Sequence, residues 1–223
     1  MVKKNTTLTN KAYTLIKKMI INLQLRPGEI IILNQFADNL NLSRTPVKEA
    51  LISLSNKGLV ERSNGRKYRV TQITCESIKE IFALREALDS HALREIINNF
   101  TLSDYSEMDN YIKKMEQAVK ENNYDLFYEL DNSFHKYYLK KYGNKMIISI
   151  MEQINDRLQR ARHFSYYINH RAENAINEHE NILKSLKDKD VQKTINAYKL
   201  HLNNTVIGLL DLLEKKNNKN LAE

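Results

Sequence analysis

Between residues 73 and 200 the chain has a single glycine, Gly143, and no proline. These are the two residues that most readily interrupt helices, so a stretch this poor in them is constrained toward long helical runs. Amphipathic segments fill the space, and the apolar spacing predicts helices near 76–98, 104–121, 124–141, 145–165, 170–187 and 190–215. The connections are short: Phe100-Thr101-Leu102, Asn122-Asn123, Gly143-Asn144 and Lys187-Asp188-Lys189-Asp190. Short connections make consecutive helices antiparallel neighbours, which is a helical bundle. About 150 residues can enclose a substantial core. The polar Lys215–Glu223 end is expected to fray. No internal repeat is visible.

The first 72 residues read differently. Ala12, Leu15, Ile16, Met19, Ile20 and Leu23 form an apolar stripe at i, i+3, i+4 spacing after Thr9-Asn10, two candidate caps. Arg26-Pro27-Gly28 ends that helix. Phe36, Ala37 and Leu40 mark a short second helix, and Asn41-Leu42 turns into a third. There Ser43 is an expected N-cap, Pro46 falls in the tolerated first turn, and Val47, Ala50, Leu51 and Leu54 supply the buried face. Arg44, Thr45 and Lys48 are left on the outer side of the N-terminal end. Gly58 suits the left-handed position that closes a helix. Leu59–Arg62 and Tyr68–Thr71 read as two short strands around Asn64-Gly65. Three helices and a basic hairpin make a winged helix-turn-helix, whose third helix reads the major groove with its first residues.

Charge follows the same division. Residues 1–72 hold 13 Lys and Arg against 4 Asp and Glu, a net +9, whereas residues 73–223 hold 22 against 23, a net −1. Excess positive charge on the small N-terminal unit is the footprint of a phosphate-binding domain joined to a neutral partner. The one cysteine, Cys75, excludes an intrachain disulfide. Without a signal-like apolar segment, or an apolar run near the ~20 residues that span a bilayer, a cytoplasmic protein is expected. The reading is therefore mainly α: a winged helix-turn-helix over residues 1–72, a linker at 73–76 and an all-helical antiparallel bundle over 77–223.

Four polar residues fall on faces that should point inward. Asp131 and His135 are spaced i, i+4, on a face with Phe127, Phe134 and Tyr138. His179 shares its stripe with Ile176, Leu183 and Leu186, and His201 its own with Tyr198, Leu202 and Thr205. Around a turn near residue 189, His179 and His201 should lie at nearly the same height, at ~1.5 Å per residue. One carboxylate and three imidazoles are costly to bury without partners. A divalent cation would satisfy all four. Zn²⁺ or Ni²⁺ suits that donor set first, with Mn²⁺ or Fe²⁺ as further options. Taken singly, each histidine is more often a hydrogen-bonded core residue than a ligand, and it is the shared height and the Asp-x-x-x-His pair that bring the metal reading level with that one; His91, His163 and His170 read as ordinary surface or packing residues. Arg85 lies on an inward face among Ile81, Phe82 and Leu88. It is the better candidate to pair with a ligand carboxylate, with Arg157 second and Arg160 behind it. Salt bridges to neighbours such as Glu86 or Asp156 are the plainer roles.

Pro27-Gly28, Phe36-Ala37, Ser43-Arg44-Thr45-Pro46-Val47-Lys48-Glu49-Ala50-Leu51 and Gly58-Leu59-Val60 together resemble the N-terminal pattern of GntR-type transcriptional regulators. Leu84-Arg85-Glu86-Ala87-Leu88-Asp89 resembles the opening of the FCD effector domain of their FadR subgroup, with Asp89 where glutamate is usual. Asp131, His135, His179 and His201 fall on that family's metal-ligand positions. The resemblance implies a homodimer on an inverted-repeat operator, most often a repressor, answering to a small carboxylate metabolite. It implies DNA contacts from Asn34, Ser43, Arg44, Thr45, Lys48, Arg66 and Lys67. Asn34 and Lys48 stand where arginine is frequent, and lysine lacks arginine's planar fork. Two alternatives are a regulator whose metal is purely structural and a metal-dependent, hydrolase-like enzyme, since an Asp/His₃ metal with open positions can activate water.

Overall fold

The structure is a computed structural model. It describes residues 2–64, 67–165 and 171–220, and within them the side chains of all but 2–6, 162–165 and 216–220. Two compact units emerge. The first comprises Met1–Ile73 with Gln153–His163, and the second Thr74–Glu152 with Phe164–Glu223.

In the first unit the order is α1 (Val2–Ile21), β1 (Ile30–Ile32), α2 (Leu33–Asn39), α3 (Arg44–Asn56), β2 (Val60–Arg62) and β3 (Lys67–Val70). Ala12, Ile16 and Ile20 of α1 are buried with Val47, Leu51 and Leu54 of α3, the two apolar stripes expected from spacing. Thr9 and Asn10 do not cap α1, which begins at Val2. Thr9 instead donates from Oγ1 to Glu49 Oε2 at 2.6 Å. Helix α1 ends at Ile21, before Arg26-Pro27-Gly28, and Leu23 turns the chain in the left-handed region at φ 58°.

The hairpin β2–β3 carries a third strand. The sheet order is β1-β3-β2, all antiparallel, with Ile31 opposite Tyr68 and Glu61 opposite Arg69. Ile30-Ile31-Ile32 is too short to show a period of two, so only its pairing with β3 reveals it as a strand. Ser43 occupies the N-cap position of α3 with extended backbone, but its side chain makes no cap hydrogen bond. Gly58, at φ +66°, follows the C-cap Lys57 as expected.

The second unit is helical. Its elements are α4 (Cys75–Ile96), α5 (Leu102–Lys120), α6 (Tyr124–Tyr142), the ends of α7 (Lys145–Ser165), α8 (Arg171–Lys187) and α9 (Val191–Asn220). Each follows its predicted span within a few residues, and α9 runs on to Asn220, into the segment expected to fray. Thr74 and Thr101 form capping boxes with Ser77 and Asp104. Gly143 closes α6 at φ 73°. Packing joins α8 to α9, α5 to α6, α4 to α9 and α5 to α8. Cys75 is a free thiol in the first turn of α4. Among the described residues no helix is long and apolar enough to cross a membrane.

Candidate functional site

The head of α3 presents Arg44, Thr45 and Lys48 to solvent, while Pro46, Val47, Ala50 and Leu51 face the core. Burial of one face aims the other outward, as a recognition helix requires. Ser43 and Lys67 are also exposed, whereas Asn34 is half-buried in the first turn of α2. Arg66, the remaining predicted DNA contact, lies outside the described residues, as does His170 and the side chain of His163.

Asp131, His135, His179 and His201 converge in the helical unit, all buried, with one donor atom from each within 4.8 Å of the others. His135 Nε2 and His179 Nε2 are 3.3 Å apart, and Asp131 Oδ1 is 3.5 Å from each. Donors at ~2.0–2.1 Å from a tetrahedral cation stand about 3.3–3.4 Å from one another. The triangle is therefore already the size that a divalent cation needs. The expected equal height of His179 and His201 is met, with ring centroids 4.6 Å apart.

Protonation favours the same use. Burial holds His179 well below the ordinary histidine pKa, reinforced by His201, and burial also lowers His201. Neutral imidazoles are the ligating form. His135 Nδ1 meets Tyr138 Oη at 3.2 Å, and His201 Nδ1 meets Glu178 Oε2 at 2.8 Å. His135 therefore turns Nε2 to Asp131 and His179, and in His201 Nε2 is the nitrogen not engaged by Glu178. Burial pushes the Glu178 carboxyl up, but hydrogen bonds from His201 and Arg171 outweigh it and lower the pKa to about 2.

Beside the cluster, Arg85 is fully buried and its Nε donates to Asp89 Oδ2 at 3.1 Å. Tyr198 donates to the same carboxylate oxygen, and Tyr138 donates to Tyr198 at 3.4 Å. A polar chain thus runs from His135 through both tyrosines to the Arg85–Asp89 pair. Arg85 Nη2 is buried with no hydrogen-bond partner among the described residues, a costly donor to leave unmet. Glu86, the plainer partner, pairs instead with Lys199 at 3.0 Å.

Arg157 and Arg160, the other two arginine candidates, hydrogen-bond elsewhere among the described residues. Both lie in the first unit, where Arg157 Nε donates to the Lys57 carbonyl at 3.1 Å and Arg160 donates to the Thr71 hydroxyl and carbonyl. Asp156 pairs with Lys17 at 2.7 Å rather than with either arginine. His91 is exposed and meets Tyr142 Oη at 2.9 Å. The residues that sequence reasoning missed are Arg171, Glu178 and Tyr138 in its polar role. Only the i, i+7 spacing of Arg171 and Glu178, two turns along one helix face, signals a pair.

Comparison with known proteins agrees with this geometry. Residues 8–70 match the family model "Bacterial regulatory proteins, gntR family", and residues 80–204 match that of the FCD domain. An uncharacterized HTH-type transcriptional regulator of Bacillus subtilis, YdhC, is 26% identical over 204 residues, 91% of each chain. The HTH-type transcriptional repressor RspR of Escherichia coli is 22% identical over 87% of this chain and 86% of its own. The solved structure of E. coli McbR/YncC superposes with a TM-score of 0.77 at 21% identity, covering 92% of this chain and 97% of that one. With both halves matched in order, the chain belongs to the GntR family of bacterial regulatory proteins, in the FadR-like subgroup with a C-terminal FCD domain. It is a DNA-binding transcriptional regulator and not an enzyme.

Proposed function

We propose that the protein is a cytoplasmic homodimer that represses transcription from an inverted-repeat operator and responds to a small carboxylate bound in its FCD domain. Arg44, Thr45 and Lys48 read base edges and phosphates, with Ser43, Asn34 and the wing residues Arg66 and Lys67 supporting the backbone contacts. Two copies related by a two-fold axis match the symmetry of such an operator. Residues 1–72 act as the DNA-binding domain, 73–76 as the junction and 77–223 as the effector and dimerisation domain.

In the FCD domain, Asp131, His135, His179 and His201 hold a divalent cation, Zn²⁺ or Ni²⁺ before Mn²⁺ or Fe²⁺. When bound, the cation supplies a Lewis-acidic point that fixes one end of a carboxylate. The observation that carries this reading is the buried four-donor cluster with Arg85 beside it, its Nη2 without a hydrogen-bond partner among the described residues. Charge supports a carboxylate. Among the described residues of the buried shell, Asp131, Asp89 and Glu178 supply three negative charges, Arg85 and the Glu178-paired Arg171 two positive ones, and a divalent cation would add two, which leaves the loaded shell one charge positive. A monoanion entering there neutralises it. The effector then shifts DNA affinity to the extent that it prefers one arrangement of the reading heads.

The test is selection of sheared genomic DNA by the purified, metal-loaded protein, followed by challenge of the complex with small carboxylates. Enrichment of a short inverted repeat that a carboxylate releases is the expected result. Folded protein that enriches no repeat at moderate salt would overturn the operator reading. Release that is indifferent to metal removal would leave the cation a structural part only.

A further inference from the structure

The three histidines of the cluster are supported unequally. His179 Nδ1 is buried without a hydrogen-bond partner among the described residues. His135 Nδ1 has a neutral phenol, Tyr138. His201 Nδ1 meets a carboxylate, Glu178, and that carboxylate is itself held by three hydrogen bonds from two residues. Arg171 donates to Glu178 through Nη1 at 3.0 Å and Nη2 at 2.7 Å, and Asn204 Nδ2 donates to Oε1 at 2.7 Å. Arg171 Nη2 also donates to Thr205 Oγ1 at 2.8 Å, and Thr205 Oγ1 donates to the His201 carbonyl at 3.0 Å.

We propose that Glu178, locked by Arg171, is the positioning residue that fixes His201 as its Nδ1–H tautomer and so presents Nε2 to the divalent cation. The inference rests on the metal reading above. A carboxylate paired with a guanidinium can only accept, and at 2.8 Å it lies nearer to His201 Nδ1 than the Arg171 Nη2 donor at 3.5 Å, so the proton of a neutral His201 sits on Nδ1. The bidentate guanidinium keeps that carboxylate ionised and in one orientation. A carboxylate behind a ligating imidazole raises the basicity of the ligating nitrogen and restricts ring rotation. His201 becomes the pre-set donor, and His179, whose Nδ1 has no hydrogen-bond partner among the described residues, a more adjustable one.

The same contacts would also tie α8 to α9, so the test must separate positioning from bracing. Co²⁺ is the probe, because its d–d absorption reports both occupancy and geometry. Glu178→Gln preserves shape and an acceptor for Nδ1–H but removes the charge. The double variant Arg171→Met/Glu178→Gln removes both charges, so that neither is left buried and unpaired. Both variants are expected to bind Co²⁺ roughly 10- to 100-fold more weakly than the wild type. Asn204→Ala, which loosens the helix tie without touching His201, should leave that affinity nearly unchanged.

A second readout needs no metal. In protein carrying ¹⁵N-histidine, long-range ¹H–¹⁵N spectra should show His201 as the Nδ1–H tautomer alone in the wild type and as a mixture in Glu178→Gln. Wild-type affinity in the folded double variant, or the opposite tautomer in the wild type, would overturn the proposal. Failure of the wild type to bind Co²⁺ saturably would instead overturn the metal reading on which it rests.

Discussion

Arg44 and Lys48 stand exposed at the head of α3, whereas Asp131, His135, His179 and His201 are sealed inside the helical unit. Exposed cations retain their hydration, and act on a partner over a Debye length of ~8 Å at physiological salt. Their worth is realised only when phosphates and base edges arrive. Buried donors have lost water already, so the fold must hold them neutral, paired or ready for an ion. In the head, the partner is therefore inferred from what is left free. In the cluster, it is inferred from how the donors are held.

The largest test of this contrast is Arg44→Ala. A good bidentate side chain–base pair is worth ~1–3 kcal/mol, and a dimer uses it twice, so operator affinity should fall on the order of 10²–10⁴-fold. Fluorescence anisotropy with the selected operator measures this, and size-exclusion elution should stay that of the wild type. Undiminished affinity would remove the head of α3 from DNA reading. Loss of the oligomer would mean that the residue serves structure as well.

The buried site should answer to chelation instead. A cation at a hundred times its Kd stabilises the native state by about 2.7 kcal/mol. For a chain of this length that is a midpoint shift of roughly 5–10 °C. The wild type should show that drop in melting temperature with EDTA, and His179→Ala should show almost none. An equal drop in both proteins would reject His179 as a ligand.

The two regions also differed in how far the sequence disclosed them. The helices of the FCD domain were legible because their apolar period is unbroken and Asn123, Gly143 and the threonines before α4 and α5 punctuate it. In the head, β1 escaped because three isoleucines carry no period, and α1 was begun too late because its apolar stripe starts well inside the helix. At the cluster, the four candidate donors are visible as polar residues on apolar faces. Their supporters are not. Glu178 precedes His179 in sequence yet serves His201 on the next helix, and Tyr138 and Tyr198 looked like ordinary packing. A hydrogen bond between helices leaves no trace in the period of either one.

Gly58→Ala sharpens the separation between head and cluster. Gly58 has φ +66°, and a Cβ there would meet the Arg157 guanidinium, which lies in the same unit. A left-handed non-glycine residue costs ~1–2 kcal/mol, and Arg157 must also move. The variant should unfold at lower urea, by roughly that amount, while its Co²⁺ affinity stays that of the wild type. A change in metal affinity would show that strain in the head reaches the cluster.

The smallest effect belongs to Asp104, a second buried carboxylate of the FCD domain and a natural control for Asp131. Asp131 faces two imidazole nitrogens. Asp104 instead accepts from the Thr101 amide at 2.7 Å, the Thr101 hydroxyl at 2.6 Å, Tyr137 Oη at 2.7 Å and Lys141 Nζ at 2.7 Å. Burial raises its pKa, but the hydrogen bonds from Lys141, Thr101 and Tyr137 outweigh it and hold the carboxyl well below its ordinary 3.8. With the folded value depressed, the stabilisation is fully present above the unfolded value. It is lost as pH falls from about 4 toward the folded value. Asp104→Asn should cost ~1–2 kcal/mol at neutral pH, as weakening hydrogen bonds to a charged group does, and should flatten that acid limb. Because protein donors already satisfy Asp104, its chelation shift should equal that of the wild type. A smaller shift would mean that the two carboxylates are coupled, and that an acid ringed by hydroxyls and a lysine and one facing two imidazoles are less separable than their partners indicate.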